Sequence, residues 1–577
     1  MRGRYLSKPK SIIEQTFKGT VVSIILAAMA VLIGVVIDGI VIGRYLGPDH
    51  MAAYTLISPI VNIVTVFSSI LSTGVQVLCA QRIGEGNIKG ARQAFSVCMA
   101  ATTVLSIILT LTAVLFRSEI AILLGATGDS AGLLPYASDY LLGLAVAGPA
   151  SIFLFEFNSL IRLDGDPNRI IVAVAVMTVL DIAGDLLNVF VFHGGMLGIG
   201  LATAVSYLAA LFIMMLHFTK KDIIFRFSFK GMNMKDFRDI LTIGAPSAVG
   251  SASTGFRTIV HNHIMVGTMH SVNAVGAFGV VQTVFNFASC VLIGVGITTS
   301  MIAGMLLGEK DRPSTIKLIR IAVRTALLIG TGLCISLFVL SGPIADLFGS
   351  KDGATMVMLA TRGLRFYSVS LILYGINSTF TNYLQGMRRM TYSLVMSCLH
   401  SFVFLAVPAL ALAGFLEADA VWVSFVIGEV LTLTTFVLIA AVLKKGIPCR
   451  AEDFLYIKEP FGAPECDVLE LTVTKEDDIL PAARKVKDFC TSKNATQTQE
   501  ELLPLFTEKI ADNAVNSGFE KEGIQSVEIR LIRDDDGFTL RLRDNCKPLD
   551  PTELIGNSAK SAEYIRTLSL NVTTIRL

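Results

Sequence analysis

Residues 177–203, MTVLDIAGDLLNVFVFHGGMLGIGLAT, hold two aspartates inside an otherwise apolar run. Asp181 and Asp185 stand four positions apart, so a helix presents both carboxylates on one face, a turn from each other. Residues 170–180 before them and 186–192 after them are almost all aliphatic or aromatic, the composition of a bilayer-spanning helix. An aspartate at mid-bilayer costs roughly 2.5–3.5 kcal/mol on insertion scales, so a chain keeps two only where they face something other than lipid. The plain alternative is silent polar packing between helices; carboxylates at that depth are functional by default.

The rest of the chain has the same character. Of its 577 residues 53% are hydrophobic and 16% charged, and the mean hydropathy is +0.65. This is the balance of a polytopic membrane protein. A net charge of +2 gives no sign of nucleic-acid binding. The nine cysteines show no CxxC or metal-ligand spacing, and several lie in apolar runs, which suits reduced structural thiols. Residues 1–18 are basic, but the apolar segment behind them is long and lacks a small-residue cleavage site. It reads as a first retained span.

Twelve apolar segments have spanning length: 17–44, 51–83, 91–116, 136–161, 169–192, 196–218, 239–266, 272–307, 316–340, 355–384, 391–415 and 420–443. Connectors after even-numbered spans carry Arg82, Lys89, Arg92, Arg162, Arg169, Lys220, Lys221, Arg226, Lys310, Arg312, Arg388 and Arg389, whereas the others are nearly bare of basic residues. Positive connectors stay in the cytoplasm, which puts both termini there. The predicted fold class is therefore an all-α polytopic membrane protein of two six-helix bundles (1–231 and 232–445). A linker (446–465) then leads to a small cytoplasmic α/β domain (466–577). Each bundle ends its fourth span on a polar-then-basic exit, a layout that suggests like-oriented bundles around a cavity, as in transporters.

Four short motifs carry a family resemblance. They are IDGIVIGRYLG at 37–47, IRLDGDPN at 161–168, the Gly-x-x-x-Ala-Thr ending at 198–203, and IGAPS at 243–247. In that order they resemble the signatures of multidrug and toxic compound extrusion (MATE) transporters, over about residues 17–445. The resemblance implies a cation site in the first bundle, with Asp38, Asn158, Asp185 and Thr203 at the family's positions. Asp181 adds a carboxylate where the pattern usually has asparagine. The family's acidic site in the seventh and tenth spans is not matched; Arg257, His261, His263, Arg362 and Arg365 stand in those spans, so coupling is expected in the first bundle.

Asp38, Asp181 and Asp185 gathered in low dielectric cannot all stay ionised, because like charges and desolvation act together. Such a cluster takes up H⁺ or a small hard cation such as Na⁺, and a positively charged substrate competes for the same field. Exchange follows if ion and substrate favour different states. The expected activity is secondary antiport of small organic cations across the plasma (inner) membrane, with lipid as the surroundings and no enzyme chemistry. Glu429, in the last span, is a candidate substrate-facing carboxylate. Glu156 is a second substrate-cavity candidate, although, two positions before Asn158, it lies off that residue's helical face. His261 and His263 point apart on a helix and suggest packing rather than metal. The arginines of the second bundle favour an alternative, a flippase for a lipid-linked or anionic substrate. A membrane-anchored signalling protein is a third reading, disfavoured because a passive anchor has no use for the acidic cluster.

The tail alternates in character. Residues 468–473 are predicted as a strand, 479–492 and 500–517 as helices, and 527–533 with 538–543 as a hairpin. Asp512–Phe519 (DNAVNSGF) and Asp544–Pro551 (DNCKPLDP) resemble the nucleotide-binding boxes of anti-sigma-factor kinases and histidine-kinase catalytic domains, an ATPase-like sandwich. The resemblance implies Asn513 for the magnesium and Asp544 for the adenine. Lys509 replaces the family's base glutamate, Cys546 replaces a glycine, and the Gly-rich lid has shrunk to residues 556–566. A degenerate regulatory module is therefore expected, one that contacts a cytoplasmic regulatory protein and is not expected to use ATP.

Overall fold

The computed structural model describes residues 12–577 apart from 127–131, 221–222, 229–230, 270–271, 349–353, 418, 458–460, 519–524, 535–536, 547–549, 552–554, 556–558, 560 and 569. Residues 556–558 and 560 of the expected lid segment, and parts of both expected nucleotide boxes, lie outside the described residues; the second half of that segment is strand (Ser561–Thr567) rather than lid. Before the tail come α1 (Ile12–Val41), α2 (Pro48–Gly84), α3 (Ile88–Leu115), the short α4 (Arg117–Leu123), α5 (Leu134–Leu163), α6 (Pro167–Leu187) and α7 (Gly195–Met215). They are followed by α8 (Met234–Met269), α9 (Val272–Gly308), α10 (Arg312–Phe348), α11 (Ala354–Gly386), α12 (Met390–Cys398), α13 (Phe404–Leu416) and α14 (Asp419–Lys444). A π turn at Ile42–Leu46 extends α1, another at Asn188–Phe192 extends α6, and a third at Leu399–Val403 joins α12 to α13.

In hydrocarbon every backbone group needs an internal partner, so apolar runs of this length settle as helices. Their ends follow local chemistry. Asn87 caps α3 by accepting from Gly90 N at 2.8 Å, and prolines open α2 and α6. Large aliphatic side chains such as Val22, Leu111 and Leu328 stay exposed along the helices, an outer surface suited to lipid.

Eleven helices are long and apolar enough to cross a membrane among the described residues, against the twelve expected. The difference is α8. Its 36 residues give it the length, but Arg257, His261, His263 and a run of serines and threonines lower its hydropathy.

Contacts within the first seven helices and within α9–α14 make two packed groups that meet where α2 runs along α8 and α9. The approach is closest at two glycines. A Cβ on Gly244 would lie 1.9 Å from Ile70 O, and one on Gly308 would lie 2.0 Å from Gln81 O. Beside them Arg82 grips Asp236 with two hydrogen bonds of 2.9 and 2.5 Å. Arg82→Ala strands Asp236, which is nearly fully buried, and should cost about 3 kcal/mol in a thermal-unfolding assay of the purified protein. Arg82→Lys should recover only part, since lysine lacks the two-pronged geometry.

The α5–α6 connector is tied down by charge. His217 sits between Asp164 (2.8 Å) and Asp166 (3.0 Å), and Arg169 and Lys220 also reach Asp166, at 3.0 and 2.6 Å. The His217 hydrogen bond and the Lys220 charge hold the Asp166 carboxyl well below the usual carboxylate range. A depressed carboxylate stabilises the fold in full above about pH 4, the ordinary aspartate value, and loses that contribution as pH falls through its lowered value. The melting temperature of Asp166→Asn should therefore lie below that of the parent by a constant margin from about pH 5.5, where His217 is charged folded or unfolded, to about pH 4, and the margin should shrink below that.

The tail contains α15 (Ile479–Ser492), α16 (Gln497–Asn513), β1 (Val468–Val473), β2 (Val527–Asp534), β3 (Gly537–Asp544), β4 (Ser561–Thr567) and β5 (Leu570–Arg576). The strands pair antiparallel in the order β1-β2-β3-β5-β4. Both helices cover one face, where Val486, Phe506 and Ile510 meet Ile529, Leu531, Leu540 and Leu542.

Candidate functional site

Three helices of the first group bring carboxyl and hydroxyl groups together. Asp38 comes from α1, Asp181 and Asp185 from α6, and Thr203 and Ser206 from α7; all five are buried. The four-residue spacing on α6 does what helical geometry requires: both of its aspartates turn inward. The carboxyl groups of Asp38 and Asp185 lie within hydrogen-bonding reach of each other. Asp181 accepts from Ser206 Oγ at 3.0 Å and from the Thr203 hydroxyl. Gly34, one turn before Asp38, faces the same acid: a Cβ there would stand 3.5 Å from Asp181 Oδ2, an ordinary contact distance.

Beyond that mutual approach, Asp38 Oδ1 and both Asp185 oxygens have no protein donor. Two carboxyls side by side in a buried site share a proton or need a cation between them. No group of three His, Cys, Asp or Glu side chains converges as metal ligands do among the described residues. The geometry is thus that of a carboxyl pair with a third acid held apart by hydroxyls.

Three tyrosines surround the acids and went unnoticed in the sequence. Tyr54 (α2), Tyr140 (α5) and Tyr207 (α7) are close enough to feel the carboxylate charges, and the Tyr54 and Tyr140 rings lie 5.4 Å apart. The one signal available was a phenol in an apolar span, where its hydroxyl needs a polar neighbour.

The other candidates fall elsewhere. Asn158 Oδ1 is buried without a partner. Glu156, fully buried, accepts from the Thr102 hydroxyl and so faces α3. Glu429 does not line an open cavity: it is 3% exposed, accepts from Asn377 Nδ2 at 2.7 Å and lies 3.1 Å from His400 Nε2. The arginines of the second group are dispersed. Arg362 pairs with Asp419 at 2.7 Å, Arg365 donates to Ser341 Oγ at 3.2 Å, and Arg257 alone is deeply buried, its guanidinium 4.9 Å from the Phe285 ring centre. His261 packs among Phe278 and Phe425 while His263 is exposed, so the two histidines do point apart. A cavity of about 620 Å³ lies away from the acids, in an apolar cleft among Phe67, Leu71, Val104, Met232 and Phe237.

In the tail, Asp544 is buried, and its Oδ1 already accepts from Asn571 Nδ2 at 2.7 Å and Cys546 N at 3.0 Å. Asn513 ends α16 and is half-buried.

Comparison with known proteins places this architecture. The MatE family model matches residues 23–187 and again residues 246–410, together more than half of the chain. The chain belongs to the MatE family. Its two matches make this MatE protein an internal repeat, and all three site aspartates lie in the first copy. It is 24% identical over 416 residues to multidrug export protein MepA of Staphylococcus saprophyticus, covering 71% of this chain and 90% of that one. It is 23% identical over 377 residues to the probable multidrug resistance protein YoeA of Bacillus subtilis, covering 64% and 80%. Its fold matches an outward-facing multidrug resistance MATE transporter of the MOP superfamily with a TM-score of 0.69 at 20% identity, over 75% of this chain and 97% of that one. The same scores and coverage relate this MatE chain to a MOP superfamily transporter from Pyrococcus furiosus described as having a binding pocket of reverse polarity. Both family-model matches end before the tail sheet, whose first strand begins at Val468.

Proposed function

We propose that this protein is a proton-coupled antiporter that exports organic cations through an acidic site in its first six-helix bundle. The observation that carries the reading is the Asp38–Asp185 carboxyl pair, buried on facing helices and short of donors. A proton held between them neutralises the site; its loss leaves a negative field that a cationic drug can occupy. Na⁺ suits the arrangement less well, because three carboxylates do not close around one point. Asp181, Thr203 and Ser206 form a hydrogen-bonded wall beside the pair. The multidrug names of the MepA and YoeA relatives support the substrate class.

In this reading α8 is the seventh of twelve spans, the bundles comprise residues 1–231 and 232–445, and both termini are cytoplasmic at the plasma membrane. The linker (446–465) carries a regulatory tail (466–577) that does not turn over ATP, since the Asp544 carboxylate is engaged by its own domain. The decisive experiment is efflux of a cationic dye from proteoliposomes under an imposed pH gradient or an imposed Na⁺ gradient. Transport driven by the pH gradient alone is expected; transport that follows only Na⁺ overturns the choice of ion.

A second reading, export of an anionic substrate, is favoured by one feature. Arg257 is buried with Nε and Nη2 unpartnered. If it binds the cargo, Arg257→Gln should abolish uptake of an anionic dye by inverted vesicles while cationic efflux persists.

A further inference from the structure

The face of the tail sheet left open by α15 and α16 is packed against the membrane helices. Strand alternation sends Ile529, Leu531, Leu540 and Leu542 to the tail's own core and turns Arg530, Arg541 and Arg543 the other way. Arg530 and Arg541 are direct register partners, with Arg543 two residues along, so three guanidiniums crowd one patch. Each is nearly fully buried. Burial pulls Arg541 and Arg543 down to about 10, which leaves both charged at neutral pH. Adjacent buried cations demand counter-charge, and the α9–α10 connector supplies it. Asp311 lies 2.5 Å from Arg530 and 2.8 Å from Arg543, while Glu309 touches Arg543 and lies 3.6 Å from Arg541.

The same sheet also holds the first bundle. Arg541 Nη2 donates to Gly84 O at 3.4 Å, and Arg576 Nη2 to Glu85 O at 3.3 Å, both at the α2–α3 connector. The β4–β5 turn plugs the end of α5: Leu568 N and Thr567 Oγ1 donate to Leu163 O at 3.1 and 2.8 Å. Ile565 and Leu568 join the buried cluster of Ile13, Phe17 and Leu163, and Leu570 and Val572 pack on Ile12 at the start of α1. One hydrogen-bonded sheet is therefore fastened to α1, α2 and α5 on one side and to the α9–α10 connector on the other.

We propose that the tail is a clasp across the two bundles, which holds the transporter shut on its own side of the membrane and must release Glu309 and Asp311 before that side can open. The inference deepens the regulatory reading of the tail and rests on it. It involves neither the coupling ion nor the substrate.

The test uses the full-length protein with the exposed Cys449 and Cys466 changed to serine and nitroxide labels on cysteines placed at the exposed Lys89 and Thr391, one on each bundle. Pulsed spin-resonance distances are recorded without substrate or gradient. The parent should give one short distance. Glu309→Gln with Asp311→Asn, and separately Arg541→Met with Arg543→Met, should add a longer component, with a roughly tenfold rise in the open-to-closed ratio. Arg541→Lys with Arg543→Lys, which keeps both positive charges opposite Glu309 and Asp311, should retain most of the short distance, which a merely misfolded tail would not do. Distances unchanged in both neutralised variants overturn the clasp, whether the tail stays docked or comes away. A distance as long in the charge-conserving lysine variant as in the neutralised ones overturns it too. Because no transport is measured, failure here leaves the proton-coupling proposal standing, and failure of coupling leaves the clasp standing.

Discussion

Asp38→Asn and Asp185→Asn should each reduce pH-driven efflux in proteoliposomes to background while the protein reaches the membrane in normal amounts. An amide keeps the size and much of the hydrogen bonding of the carboxyl but cannot exchange a proton at working pH, so either substitution leaves a single acid that no longer cycles as one of a pair. Folding should survive, because the two carboxyls are paired with each other and an asparagine at either position can donate to the acid that remains. Asp181→Asn should be much milder, since Ser206 and Thr203 can hydrogen-bond to the amide oxygen as they do to the carboxylate. The contrast carries the weight: equal losses at all three positions would point to a diffuse negative field, and undiminished transport in both Asp38→Asn and Asp185→Asn would remove the site altogether.

How far the sequence foretold this site depended on range. The Asp181–Asp185 pair was legible because helical periodicity acts over four residues. Asp38 lies more than 140 positions earlier, and only a family motif linked it to the pair. The tyrosines were invisible, because nothing local distinguishes a phenol facing an acid from one facing lipid. Spans were legible from hydropathy, with α8 (239–266 in the sequence) the weakest, because Arg257 and His261 lower the local average although both are buried among aromatic rings in the folded chain. The strands β1, β2 and β3 followed from alternation. What alternation could not say was where their second face goes: nothing local marks Arg530, Arg541 and Arg543 for burial, and only the approach of Glu309 and Asp311, more than 200 residues away, covers them.

Gly244→Ala and Gly308→Ala test the closure of the bundles from the membrane side and should have the other large effect. Alanine in place of glycine within a helix is ordinarily favourable by up to about 1 kcal/mol, so propensity alone predicts a small gain in stability. Here the added Cβ would meet backbone oxygens, 1.9 Å from Ile70 O and 2.0 Å from Gln81 O. Unlike the tip of a side chain, a carbonyl fixed in a helix cannot rotate away, so α2 must draw back from α8 and α9; overpacking of this kind costs about 1–3 kcal/mol. The cost falls only on conformations in which these helices touch, so each substitution should lengthen the Lys89–Thr391 distance and slow efflux even with the tail docked. The sign decides the matter: if either alanine raises the melting temperature and leaves efflux at the parental rate, the contact between α2 and the second bundle is not one the transport cycle has to make and break.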